Sequence, residues 1–273
     1  MTFTNQIESM ELVGYFASAL IGISLGLIGG GGSILTVPVM VYLFGVQPLL
    51  ATSYSLFIVG TTSLIGSVNN FKKGNINLKA ALLFGTASIV TVFLTRKFIV
   101  PAIPKEIITI SGFTVTEPFL TMILFGILML IASISMITDK SRPEPEKECS
   151  ECIKFFKLLG YGISIGLVTG LLGAGGGFLL IPALIFIIKL PMKKAVGTSL
   201  FIIAMNSLFG FAGDFGHFNI DWTFLAIITS IAVAGIFVGG FLSKKIPGEK
   251  LKKGFGWFVL VMGIYIIFRE ITT

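Results

Sequence analysis

Long apolar runs separated by short polar connectors set the pattern of this chain. The runs cover about residues 12–28, 33–46, 51–70, 79–100 and 118–137. After a charged connector they resume at about 157–173, 177–189, 194–213, 222–243 and 254–269. A helix needs roughly 20 apolar residues to cross hydrocarbon, so most of these runs predict membrane-spanning helices. The runs at 33–46 and 177–189 are too short. Each begins at a glycine block and contains a proline, Pro38 or Pro182. They predict broken, re-entrant or kinked backbone, which is tolerated at depth only where protein buries it or it lines a cavity. The expected fold is therefore an all-α polytopic membrane protein of about ten helical segments.

The two sets of five runs are copies. Gly26-Leu-Ile-Gly29-Gly30-Gly31-Gly32-Ser33-Ile-Leu-Thr-Val-Pro38 reappears 144 positions later as Gly170-Leu-Leu-Gly173-Ala-Gly175-Gly176-Gly177-Phe-Leu-Leu-Ile-Pro182. The same offset pairs Gly22 with Gly166, Ser55-Leu56-Phe57-Ile58 with Ser199-Leu200-Phe201-Ile202, and Asn75-Ile76 with Asn219-Ile220. The fifth runs align after the offset drops to 130, which leaves extra residues in the first half. They fall in the connection from Pro101 to Glu117, read as a loop. The organisation is an N-terminal repeat (1–138), a charged linker (139–156) and a C-terminal repeat (157–273). Five segments per repeat is an odd number, so the halves are expected to lie oppositely in the bilayer. Paired glycine breaks in repeated membrane helices point to a transporter's binding site.

Composition agrees with a membrane protein. Only 12% of residues are charged, about half the share in soluble domains. The net charge of +7 could suggest nucleic acid, but the positive residues sit in connectors. With the N-terminus outside, the inside loops collect Lys72, Lys73 and Lys79; Lys140, Arg142, Lys147, Lys154 and Lys157; Lys189, Lys193 and Lys194; and Lys244, Lys245, Lys250, Lys252 and Lys253. Only Arg96, Lys97, Lys105 and Arg269 fall outside. This bias orients the chain in a prokaryotic-type cell membrane with both termini outside. Glu8 and Glu11 precede the first run, the wrong charge for a signal peptide, so that run is read as retained. Cys149 and Cys152 stand in the charged linker. Two thiolates cannot complete a four-ligand zinc shell, so no metal or cofactor is expected.

The membrane interior then suggests the chemistry. No charged residue or histidine lies between Leu12 and Phe71, or between Ala195 and Gly213. A site built there uses neutral hydroxyls, an amide and backbone N–H groups. Glycines let successive N–H groups converge on an anion, and the positive ends of two short helices would aim at it. The candidate substrate-binding residues are Gly29, Gly30, Gly31, Gly32, Ser33, Ser53 and Ser55 from the first half. Gly173, Gly175, Gly176, Gly177, Thr198, Ser199 and Asn206 come from the second. Asp214 and His217 flank the outer end of segment eight; a solvated loop is the preferred reading, with a proton-coupling pair as the alternative. The expected partner is a small anion, such as a sulfur oxyanion or organosulfonate. An anion channel and a carrier of carboxylates or other small anions stay open. An intramembrane enzyme is disfavoured, because no acid or histidine stands beside the buried hydroxyls.

The block from Gly170 to Pro182, followed by Ala195-Val-Gly-Thr-Ser199, resembles the sulfite exporter TauE/SafE family, also called the 4-toluene sulfonate uptake permease family. The resemblance implies a secondary carrier of sulfur-containing anions. It puts the family's glycine motif on Gly173, Gly175, Gly176, Gly177 and Pro182, and its Gly-Thr-Ser on Gly197 to Ser199. The first half departs, with Ser33 in place of the last glycine and Ser53-Tyr54-Ser55 in place of Gly-Thr-Ser.

Overall fold

The structure is a computed structural model that describes residues 2–104, 106–110, 113–138, 151–186, 188–243 and 248–272. Among the described residues, ten α-helices follow the ten apolar runs: α1 (Thr2–Ile28), α2 (Thr36–Tyr42), α3 (Pro48–Lys72), α4 (Leu78–Leu94), α5 (Glu117–Thr138), α6 (Glu151–Leu172), α7 (Gly177–Phe186), α8 (Met192–Gly213), α9 (Trp222–Leu242) and α10 (Gly248–Thr272). A 3₁₀ segment, Gly30–Leu35, leads into α2, and a π-helical turn, Thr95–Ile99, prolongs α4. The connection read as a loop holds a short antiparallel hairpin, β1 (Glu106–Ile110) with β2 (Phe113–Thr116). Most of the charged linker, with Cys149 and Lys140, Arg142 and Lys147, lies outside the described residues, as do Lys105, Lys244 and Lys245. Residues 151–156, assigned to the linker on sequence grounds, are the first turns of α6.

Among the described residues, six segments are long and apolar enough to cross a bilayer: α3, α4 with its extension to Ala102, α5, α8, α9 and α10. The other four helices form two hairpins. By residue 44 the chain has returned to the level of α1's middle. The Phe44 ring sits against Gly14 and edge-on to Tyr15, with centroids 5.7 Å apart. The short runs are therefore fold-backs rather than crossings. The glycines cause this, because they are poor helix formers and reach the left-handed turn conformations that reverse a chain. Gly29 takes φ 78°, and Gly173, Gly175 and Gly176 take φ 67°, 66° and 66°.

Packing sorts the molecule into two ends. Tyr42 donates to Glu270 Oε1 at 2.8 Å, so the open end of the first hairpin meets the end of α10 beside the outer part of α1. This is the termini end. At the opposite, linker end, α5 stops and α6 begins. There Leu158, Leu184 and Leu190 share a buried cluster with Ala80 and Ala81 of α4.

Contacts recur with counterparts exchanged. Helix α1 packs on α9 as α6 packs on α4, while α3 crosses α8 and α5 lies along α10. Gly22 stands against Ala232 and Gly166 against Ser88; Gly66 stands against Ile236 and Gly210 against Val92. In both cases the second contact is the first with each residue replaced by its partner 144 positions away. The capping bonds obey the same exchange. Asn77 caps α4 and donates its N–H to Thr198 Oγ1 at 2.9 Å, while Asp221 caps α9 and donates its N–H to the Tyr54 hydroxyl at 2.8 Å.

Candidate functional site

The two glycine breaks meet at the centre of the bundle. A Cβ built on Gly30 would fall on the Gly177 Cα, and one on Gly177 would fall on the Gly30 backbone. Glycine is required at both positions by contact alone. From this crossing the breaks diverge. Gly29 points towards the linker end, where its Cβ would stand 3.0 Å from Val196 Cγ1 and 3.6 Å from Ser199 Oγ. Gly173 points towards the termini end, where its Cβ would stand 2.5 Å from Thr52 and 2.7 Å from Arg96 Nη2.

Arg96 is the residue that the sequence reading placed wrongly. Next to Lys97 after an apolar run, it reads as a flanking loop cation. The π-helical turn instead brings Thr95 and Arg96 into the protein while Lys97, Phe98 and Ile99 stay exposed. Arg96 is 0% exposed. Lys97 turns away, its ammonium 5.5 Å from the Phe93 ring centre and 5.9 Å from that of Phe98. The site is therefore not built from neutral groups alone.

The partner of Arg96 is Asp214, which caps the end of α8. Read above as part of a solvated loop, it is instead buried, only 1% exposed. Arg96 Nη1 approaches Asp214 Oδ2 at 3.3 Å and donates to Thr52 Oγ1 at 3.0 Å. Thr52 in turn donates to the Leu49 carbonyl at 2.6 Å. Arg96 Nε and Nη2 have no hydrogen-bond partner among the described residues. Those two nitrogens form one edge of the planar guanidinium, the fork that grips an oxyanion through two parallel bonds. Gly173 packs close against that edge, where even a methyl group would collide.

The other sequence candidates divide between this site and elsewhere. Ser53, next to Thr52, faces Asp214. Ser55, Thr62, Ser63 and Ser207 are buried hydroxyls without a partner among the described residues, and they lie along the α3–α8 crossing. Such groups cost roughly 1–3 kcal/mol each when left unmet, so they favour a polar guest or water. Ser207 Oγ stands 3.1 Å from a Cβ built on Gly175. Gly31 and Gly32 are buried within the first break, and Gly32 packs on Ser24; Gly176 packs on Thr169. Ser33 and Ser199 bond back to Gly30 and Val196 carbonyls at 2.8 and 2.9 Å. Asn206 turns to α4, donating to Ser88 Oγ at 2.7 Å and leaving Oδ1 unpartnered. Thr198 is not brought to the site, because its hydroxyl holds the start of α4 at the linker end. His217 is exposed and lines an open cleft of about 850 Å³ at the termini end, with Leu43 to Gln47, Tyr54 and Asp221.

One sequence signal could have found the pair. In the 144-residue register Arg96 falls opposite Gly240 and Asp214 opposite Asn70. Two opposite charges, each missing from the other repeat and both assigned to the same end, are candidates to neutralise one another.

Comparison with known proteins agrees over almost the whole chain. The sequence pattern of the sulfite exporter TauE/SafE family matches residues 15–266. A probable membrane transporter protein of Xylella fastidiosa (strain 9a5c) is 30% identical over 261 residues, covering 93% of this chain and 94% of that protein. The probable membrane transporter protein MJ0441 of Methanocaldococcus jannaschii is 29% identical over 268 residues, 91% of this chain and 92% of the relative. YunE of Bacillus subtilis, another probable membrane transporter protein, is 25% identical over 271 residues, 90% and 93%. No solved structure matches the chain.

Proposed function

This chain belongs to the sulfite exporter TauE/SafE family, and on that footing we propose that it is a secondary transporter of small sulfur-containing anions, of the sulfite, sulfonate or sulfoacetate class. The observation that carries the reading is the buried guanidinium of Arg96, whose Nε–Nη2 edge is unpartnered beside Gly173. A sulfonate or sulfite group offers adjacent oxygens at the spacing of that edge, and Thr52 and the unpaired hydroxyls of α3 and α8 supply further donors.

The working cycle is alternating access between two inverted repeats. Two-fold exchange of contacts supports it, since paired packing arrangements give two states of similar energy. In this reading three helices of each repeat cross the membrane and each hairpin dips in from its own side. The linker end faces the cytoplasm, because Lys72, Lys73, Lys79, Lys189, Lys193 and Lys194 cluster there. Arg96 is enclosed on all sides, so an anion reaches it only when neighbouring elements part. That favours a carrier over an open pore.

Thermal stabilisation of the detergent-purified protein by sulfite, sulfate, thiosulfate, sulfoacetate, taurine and acetate tests the proposal. The expected result is a rise in Tm with sulfur oxyanions that is absent in Arg96→Gln. Equal shifts in both proteins would move the site away from Arg96. A response to acetate alone would replace sulfur anions with carboxylates.

A further inference from the structure

The group that would bind the anion already holds one. With the site empty, Arg96 and Asp214 cancel, both buried and joined by a single 3.3 Å approach. A monoanion on the free edge of Arg96 leaves the enclosure with one net negative charge. Among the described residues, His217 is the other group with an electrostatic effect on Asp214, and it is exposed to solvent. Helix α3 contributes neutral Thr52 and Ser53, and the turn from α6 to α7 contributes glycines and Ala174. Lys97, on the extension of α4, is turned towards Phe93 and Phe98. His217, three residues beyond Asp214, lies exposed in the open cleft. A buried charge left without a partner costs several kcal/mol, and a carboxylate removes that cost by taking a proton.

We propose that Asp214 takes up one proton for each monoanion that binds Arg96, so that the protein carries anion and proton together. The inference rests on the anion site proposed above. The bookkeeping closes: a proton from water forms an O–H bond on the Asp214 carboxylate, Arg96 stays a cation, and the anion replaces the carboxylate as its counter-charge. Release reverses both events. The site is then neutral whether empty or loaded. A loaded site that carried net charge would have to be moved through the bilayer against its desolvation cost. Neutrality also sets a preference. A sulfonate or hydrogensulfite loads without residual charge, whereas a dianion leaves one negative charge uncompensated. The device belongs to one end only, since Asn70 and Gly240 occupy the exchanged positions.

The test uses the full chain in detergent and methanesulfonate, a monoanion that stays ionised from about pH 5 to 8. Titration calorimetry in two buffers of different ionisation enthalpy counts the protons. One proton taken up per anion is expected, with Kd weakening about tenfold for each unit rise in pH over the range where Asp214 must gain its proton. Asp214→Asn is expected to bind methanesulfonate with no dependence on pH, at least as tightly as the native protein in acid. Binding with no proton uptake, or a folded Asp214→Asn that no longer binds, overturns the coupling and leaves the Arg96 site standing. No binding by either protein across that range overturns the coupling and the Arg96 site together. If Asp214→Asn does not fold, the proton count on the native chain decides alone.

Discussion

The two ends of the bundle share a backbone and differ in chemistry. At the linker end Gly29 rests on Val196, with Asn70 and Gly240 at the neighbouring register positions. At the termini end their counterparts are Gly173, Thr52, Asp214 and Arg96. Duplication has thus kept the hairpins, the crossing of α3 with α8 and both capping latches. It has not kept the charges. Geometry is what the repeats hold in common, and it suffices to generate two related arrangements. The buried ion pair belongs to one end alone.

The largest effect is expected from Arg96→Gln, which should weaken anion binding more than about 100-fold. It should also cost about 3–5 kcal/mol of stability by stranding Asp214. Adding Asp214→Asn should restore the melting temperature without restoring binding; recovery of binding would show that the guanidinium is not the anion's partner. Next come the crossing glycines. Gly30→Ala and Gly177→Ala should each cost about 1–3 kcal/mol or more, and by similar amounts, because each Cβ strikes the other's backbone. Gly45→Ala and Gly216→Ala, with nothing within 4 Å, should lose only the roughly 1–2 kcal/mol of a left-handed backbone. A large gap between the first two would break the symmetry of the crossing.

Thr52→Val removes the hydroxyl that receives Arg96 Nη1, with an expected cost of about 1 kcal/mol and a several-fold loss of anion affinity. The mirror change, Val196→Thr, should leave both within about 0.5 kcal/mol of native. The smallest effects belong to the latches. Tyr54→Phe and Thr198→Val should each lower stability by about 0.5–1.5 kcal/mol in thermal unfolding and leave anion affinity unchanged. A change of affinity with Thr198→Val would return that hydroxyl to the binding site.

Much of this architecture is legible in the sequence because hydropathy and glycine act locally. Run lengths mark the helices, and a glycine block inside an apolar run marks a break whatever surrounds it. Whether a broken segment crosses or folds back depends on what its far end meets, here Phe44 on Gly14 and Tyr15. The hairpin between Ile103 and Glu117 was missed because two short strands carry little periodicity. Arg96 was missed for a different reason. One π-helical turn decides which of two adjacent cations faces inward, and composition cannot tell Arg96 from Lys97. The bond that Thr198 receives from Asn77 was not legible, because a buried hydroxyl in a membrane helix looks the same whether it receives a ligand or a neighbouring backbone N–H.

The pairing of α1 with α9 has a consequence for biosynthesis. Gly26 packs on Ile236 and Gly239, and Gly30 waits for Gly177, so the first hairpin emerges well before these partners can cover it. At about 5–20 residues per second, the chain from Gly30 to Gly177 takes about 7–30 s to be made and that from Gly26 to Ile236 about 10–40 s. Until Gly177 is made, the face of Gly30 that will meet it has only lipid, water or the insertion machinery for company. The nascent N-terminal half is therefore a client rather than a finished domain. Its maturation is timed by the ribosome's arrival at α9.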